Sequence, residues 1–198
     1  THFQLMDKIR VPKASDSMKG SFLGPCFTND EIRGFLTDSE TPHHFYENED
    51  ELLEIISQQI DAGKIIGWFQ GRMEFGPRAL GSRSIIGDAR NSEMQTKMNL
   101  SIKFRESFRP FAPSVLEEEV DRYFDLNSSS PYMLLVAPVA QNIRKELSTD
   151  ETGEMQDPDL LKRVKIERST LPAITHVDYS ARVQSISEDR NGRYHRLV

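Results

Sequence analysis

One cysteine, Cys26, is all that the 198 residues contain. That count excludes an internal disulfide and a zinc cluster of thiolates alike. Pro25 and Phe27 flank it and supply no base, so it reads as a structural thiol rather than a nucleophile. Long apolar runs are missing as well. The longest, around 133–140, is less than half of the roughly twenty residues that a spanning helix needs. No basic segment followed by an apolar stretch opens the chain, and the expected location is cytoplasmic. Histidine is sparse, and the adjacent pair His43-His44 cannot share a helical face, so no metal site is expected. Positive charge is in deficit, with 25 Lys and Arg against 31 Asp and Glu for a net charge of −6. Such a balance argues against a general nucleic-acid binder, and the short apolar runs against a membrane partner.

What is present is unevenly placed. Between Lys64 and Arg109 stand nine cations and four acids, a local charge of +5 against −11 for the remainder. A cationic island in an acidic chain suits a confined anionic ligand rather than an extended polyanion.

Periodicity and punctuation predict a mixed chain. Thr28 followed by Glu31 forms a capping-box pattern ahead of Ile32, Phe35 and Leu36. Asn48 caps a second helix carrying Leu52, Leu53, Ile55, Ile56 and Ile60, which Gly63 stops. Strands are predicted over 64–70, 84–87, 111–116 and 132–139, with an extended segment over 174–186. Helices are predicted over 92–102 and 117–124, and an acidic loop over 148–159. Intermixed strands and helices give an α/β (α+β) class without internal repeats.

Two segments carry chemistry. Gly71 to Ser84, GRMEFGPRALGSRS, offers Arg72, Arg78 and Arg83 among three glycines, with Ser84 at its exit. Planar guanidinium forks suit phosphate or carboxylate oxygens, and Glu74 is placed to orient one of them. The Gly-Lys-Ser/Thr ending of a phosphate-binding P-loop is absent. The second segment, KFRESFRPF, alternates Lys103, Arg105 and Arg109 with aromatic residues, and Asn99 stands one helical turn earlier. If extended, it puts the cations on one side. Similar interleaving occurs in single-strand nucleic-acid binders, so a nonenzymatic nucleotide- or RNA-binding module is the alternative reading.

EFGPRALGSRSI, then NLSIKFRESFRPFAPSVLEE, then THVDYSARVQSI, resemble in order and spacing the carboxy-terminal domain of the NodU/CmcH carbamoyltransferases. The resemblance runs from about Gly24 to Ser187, and GPCFTNDEI is similar to the entry into that domain. It implies a YrdC-like twisted mixed sheet packed with helices over 24–198, truncated at its carboxy end. Residues 1–23 would then be a flank from the junction with a missing actin-like amino-terminal domain of the same polypeptide.

The implied activity is carbamoyl transfer. Carbamoyl phosphate and ATP (with Mg) would form a carbamoyladenylate here, and the full-length enzyme would pass the carbamoyl group to an acceptor hydroxyl. A metal ion is implied only in the missing amino-terminal domain. Arg78, Lys103 and Arg105 are the implied catalytic cations. Arg72, Arg83, Ser84, Asn99 and Arg109 are the implied substrate- or nucleotide-binding residues, with Arg78 and Arg105 facing one pocket. Tyr179 stands where the family pattern THVDGTARVQ has glycine, and His176 and Asp178 read as structural strand residues.

Overall fold

A computed structural model describes residues 5–7, 9 and 16–198. Of the predicted flank, residues 1–4, 8 and 10–15 lie outside the described residues. Residues 16–23 of that flank are stitched to the body. The Asp16 carboxylate accepts from the Tyr132 hydroxyl, and Ser21 O accepts from Phe75 N at 2.7 Å.

Helices α1 (Asn29–Asp38) and α2 (Glu49–Asp61) begin where the caps predict. Thr28 and Glu31 exchange both bonds of a capping box, and Asn48 Oδ1 accepts from Asp50 N. The remaining helices among the described residues are α3 (Met94–Met98), α4 (Val120–Tyr123), α5 (Thr149–Glu154), α6 (Leu160–Lys165) and α7 (Glu188–Leu197).

Strands β1 (Ile66–Phe69) and β2 (Arg83–Ile86) pair antiparallel, with Trp68 opposite Ser84. A second sheet has the order β3-β5-β4. Its central strand β5 (Ser180–Ile186) runs parallel to β3 (Ser114–Leu116) and antiparallel to β4 (Leu135–Pro138). The fold is therefore α+β with two sheets.

Central position makes β5 the most buried strand. Ala181 and Val183 pack with Val115, Phe124, Ala137, Val139 and Ile174 in the main core. Ile186 faces a second cluster of Leu53, Trp68, Tyr194 and Leu197, which docks α2 and α7 on β1. Ion pairs of Arg193 and Arg196 with Glu49 reinforce that docking at the surface. A third cluster joins Met94 and Met98 to Ala173, next to Ile85 and Phe111.

Three predictions need correction. The acidic stretch from Ser148 contains helix α5, whose N-cap Ser148 and Glu151 form a capping box; a capped first turn outweighs the want of an apolar face. The apolar run before Val139 forms an edge strand that leaves Leu134 and Val136 exposed rather than buried. His176 and Asp178 occupy the turn that precedes β5, not the strand. Among the described residues no helix is long and apolar enough to cross a membrane.

Candidate functional site

The first cationic loop is organised from inside by an acid. Glu74 is buried, and its Oε1 accepts from Leu80 N and Ser82 N, both at 2.7 Å, and from Arg83 N at 3.2 Å. A carboxylate ringed by amide donors occupies the anion nest that the loop would otherwise offer, so Glu74 orients backbone rather than an arginine. Gly81 makes the turn possible. Its φ is +102°, and a Cβ there would lie 2.2 Å from Tyr194 Cδ1. Its carbonyl accepts from Trp68 Nε1 and Gln70 Nε2 at 2.9 and 2.8 Å.

Most of the predicted ligands in this loop are engaged with the protein itself. Arg83 lies 3.5 Å over the Phe69 ring and donates to the carbonyls of Gln70, Ser82 and Gly71. Arg72 donates to Gly24 O at 3.2 Å. Ser84 Oγ accepts from Gly81 N at 3.0 Å. Arg78 differs: it is half-buried, and its Nε finds no hydrogen-bond partner among the described residues.

The second cationic segment is not extended. Residues Asn99–Lys103 form a π-helical turn continuous with α3, and Phe104 takes a left-handed conformation at φ 48°. Asn99, fully buried, holds the following turn together. Its Nδ2 donates to Ser107 O and Arg109 O at 2.9 and 2.8 Å, and its Oδ1 accepts from Arg105 Nε at 2.6 Å. Arg105 also stacks 4.9 Å from the Phe111 ring centroid. Lys103 and Arg109 remain exposed, Arg109 beside Glu106 at 3.7 Å.

A residue that sequence reasoning passed over sits beside this turn. Arg168 is 2% exposed, donates Nη1 to Ile166 O at 2.8 Å, and leaves Nε and Nη2 without a partner among the described residues. Burial pulls its pKa down from the usual arginine value, yet a guanidinium does not give up its proton. A buried cation with two free donors calls for an anion. It lines a cavity of about 310 Å³ together with Gln95, Phe108, Pro110, His176 and Asp178. The second cationic segment and the THVDYSARVQ segment thus meet at one cavity.

His176 is half-buried, and its Nδ1 lies 3.2 Å from Ser180 Oγ. Burial lowers its pKa below the usual 6.5, the Asp178 charge opposes that shift, and Arg182 adds to it. Asp178 accepts from Ser180 N and Oγ, and the hydroxyl bond leads in holding its carboxyl below the usual range. Arg182 Nε is a further buried donor without a partner among the described residues.

A larger cavity of about 600 Å³ adjoins the first, sharing Gln95 and Ile174. Ile85, Met94, Met98 and Phe111 give it apolar walls, and Asp61, Asp88 and Arg90 form a paired rim. Neither cavity is lined by Arg78 or Arg105, so the expected sharing of one pocket by those two residues has no counterpart in either. Among the described residues no group of three His, Cys, Asp or Glu is arranged to hold a metal ion.

Residues 57–198 match the family model described as carbamoyltransferase C-terminus. An uncharacterised protein of Synechocystis is 50% identical over 197 residues, which cover 98% of this chain and 31% of that protein. Nodulation protein NolO of Bradyrhizobium diazoefficiens is 33% identical over 184 residues, 92% of this chain and 30% of its own. A 3'-hydroxymethylcephem-O-carbamoyltransferase of Streptomyces clavuligerus is 34% identical over 143 residues, 72% of this chain and 22% of its own. The chain spans under a third of the length of these relatives. Coverage of this extent across the cavity-forming segments places the chain in the carbamoyltransferase C-terminal family.

Proposed function

We propose that this chain is the part of a carbamoyltransferase that binds carbamoyl phosphate and ATP and joins the carbamoyl group to AMP. The supporting observation is Arg168, a buried guanidinium with two unpartnered donors at a cavity walled by two of the family-like segments. A dianionic phosphate satisfies both donors bidentately. Lys103 and Arg109, exposed on the turn that supplies Phe108 and Pro110, add charge at the approach. The adjoining larger cavity has the apolar walls and polar rim that a nucleoside requires, and magnesium would arrive with the nucleotide phosphates.

Formation of the adenylate consumes one water and releases phosphate from carbamoyl phosphate and pyrophosphate from ATP. Both departures build negative charge on oxygen, and fixed cations stabilise that charge without reorganising. The acceptor hydroxyl then attacks the carbamoyl carbon and AMP leaves, a step assigned to the whole protein with its amino-terminal region. Arg78 keeps an unpartnered Nε among the described residues but lines neither cavity, so it is assigned no part in this step.

Isothermal titration of the whole protein with carbamoyl phosphate tests the reading. Arg168→Lys should weaken binding by roughly tenfold or more, since a point charge replaces a fork. Unchanged affinity, together with unchanged pyrophosphate release in the presence of ATP and magnesium, would remove the assignment.

A further inference from the structure

The cavity has two walls that belong to different stretches of chain. Arg168 sits on one, in a segment laid antiparallel to residues 143–145: Lys145 N donates to Arg168 O at 2.9 Å, and Arg144 bridges to Ser169. His176 and Asp178 form the other, in the turn before β5. Tyr179 joins them. Its backbone closes the second wall, with Tyr179 N donating to His176 O at 3.0 Å. Its ring lies 5.1 Å beneath the Arg144 guanidinium, on the segment that carries the first wall. Val139 completes the circuit, because Tyr179 O accepts from Val139 N at 2.7 Å and Val139 O accepts from Arg144 Nε at 2.9 Å.

Tyr179 adopts this place at φ 61°, a left-handed conformation that a bulky side chain rarely takes. Glycine would sit there without strain, so the ring contact is set against the backbone cost. We propose that Tyr179 is a positioning residue for the anion cavity, its stack with Arg144 fixing the spacing between Arg168 and the His176–Asp178 turn. Arg144 sets its guanidinium over the ring while its Nε serves Val139 O, a pair of contacts that a lysine at 144 cannot reproduce. This inference rests on the assignment of the cavity to a phosphate-bearing ligand.

The test is titration of the whole protein with inorganic phosphate, with carbamoyl phosphate kinetics alongside. Tyr179→Gly removes the ring contact and the backbone strain together, so the two changes oppose each other in stability. The variant should lose about tenfold in phosphate affinity and raise KM for carbamoyl phosphate by the same factor, with its thermal midpoint maintained. Tyr179→Phe keeps the ring and should retain wild-type affinity. Arg144→Lys should weaken binding as Tyr179→Gly does, and the double variant should be no weaker than either alone. Additive losses, or wild-type affinity in Tyr179→Gly while Arg168→Lys binds weakly, would overturn the positioning role and leave the cavity assignment standing. Wild-type affinity in Arg168→Lys as well would overturn both.

Discussion

Asn99 holds Arg105: its Oδ1 accepts from Arg105 Nε at 2.6 Å while its Nδ2 bridges the carbonyls of Ser107 and Arg109. Both donors of the amide and one acceptor direction of its oxygen are therefore turned inward, and the side chain is fully buried. Its role is to shape the turn that presents Lys103 and Arg109. Asn99→Ala should cost about 2–4 kcal/mol, because two carbonyls and a guanidinium lose their partner in a buried setting. Asn99→Asp should cost more, since a carboxylate would face two carbonyl oxygens. Urea denaturation of both variants, read against wild type, checks the order.

Arg83 has a similar inward allegiance. Its guanidinium covers the Phe69 ring and donates to three carbonyls of its own loop. Arg83→Lys should lower stability by about 1–2 kcal/mol through loss of the stack and the fork. Affinity for carbamoyl phosphate should stay within roughly twofold of wild type, because no donor facing the ligand has been removed. Calorimetric titration beside a denaturation curve separates the two effects. A large affinity loss at unchanged stability would return Arg83 to the ligand side.

The caps and their acids were legible in the sequence because they act within one helical turn; Thr28 with Glu31 and Asn48 are such cases. The cationic loops were visible too, as composition. What composition does not carry is the direction in which a guanidinium points. Arg72 and Arg83 belong to the same charged island as Arg78, yet they serve nearby carbonyls while Arg78 keeps a free donor. Arg168 was illegible for the opposite reason. It stands in an unremarkable polar stretch, and its burial arises from long-range pairing of residues 143–145 with the segment around Ser169. The α5 helix has its sequence signal in Ser148 and Glu151, a capping pair that a reading by composition alone does not register.

Gly81 is the position where a single methyl should do the most harm. At φ +102° only glycine is relaxed, and a Cβ would press on Tyr194 Cδ1 at 2.2 Å and Asn191 Nδ2 at 2.8 Å. Tyr194 cannot retreat, being buried in the cluster with Trp68 and Leu53. Gly81→Ala should therefore cost about 3 kcal/mol or more, combining backbone strain with overpacking. A thermal midpoint close to wild type would show that the loop and α7 part more readily than their contacts imply. By contrast, Gly71→Ala meets open space, and its cost should come from its positive φ of 47° alone, about 1 kcal/mol.

The pH dependence of anion binding should follow His176. Burial leads in lowering its pKa below 6.5, so the neutral imidazole predominates at pH 7. Its facing groups are Asp178, whose carboxyl is held below its usual range and stays ionised, and the permanent cations Arg168 and Arg182. For stability the sign is that of a depressed histidine. The unfolded chain takes the proton more readily, so His176's contribution is full above the unfolded value near 6.5 and is lost as pH falls through the folded value. For binding the sign reverses. An anion beside Arg168 favours the imidazolium, so affinity should rise as pH falls below 6.5 while unfolding stability declines. Sulfate is the right probe, because it keeps its charge across this range whereas phosphate does not. Titration of the whole protein with sulfate between about pH 7.5 and 5.5 should show a severalfold gain in affinity. His176→Gln should abolish most of that gain and also flatten the loss of stability. A gain that persists in His176→Gln would assign the proton to another group and place the imidazole outside the anion's reach.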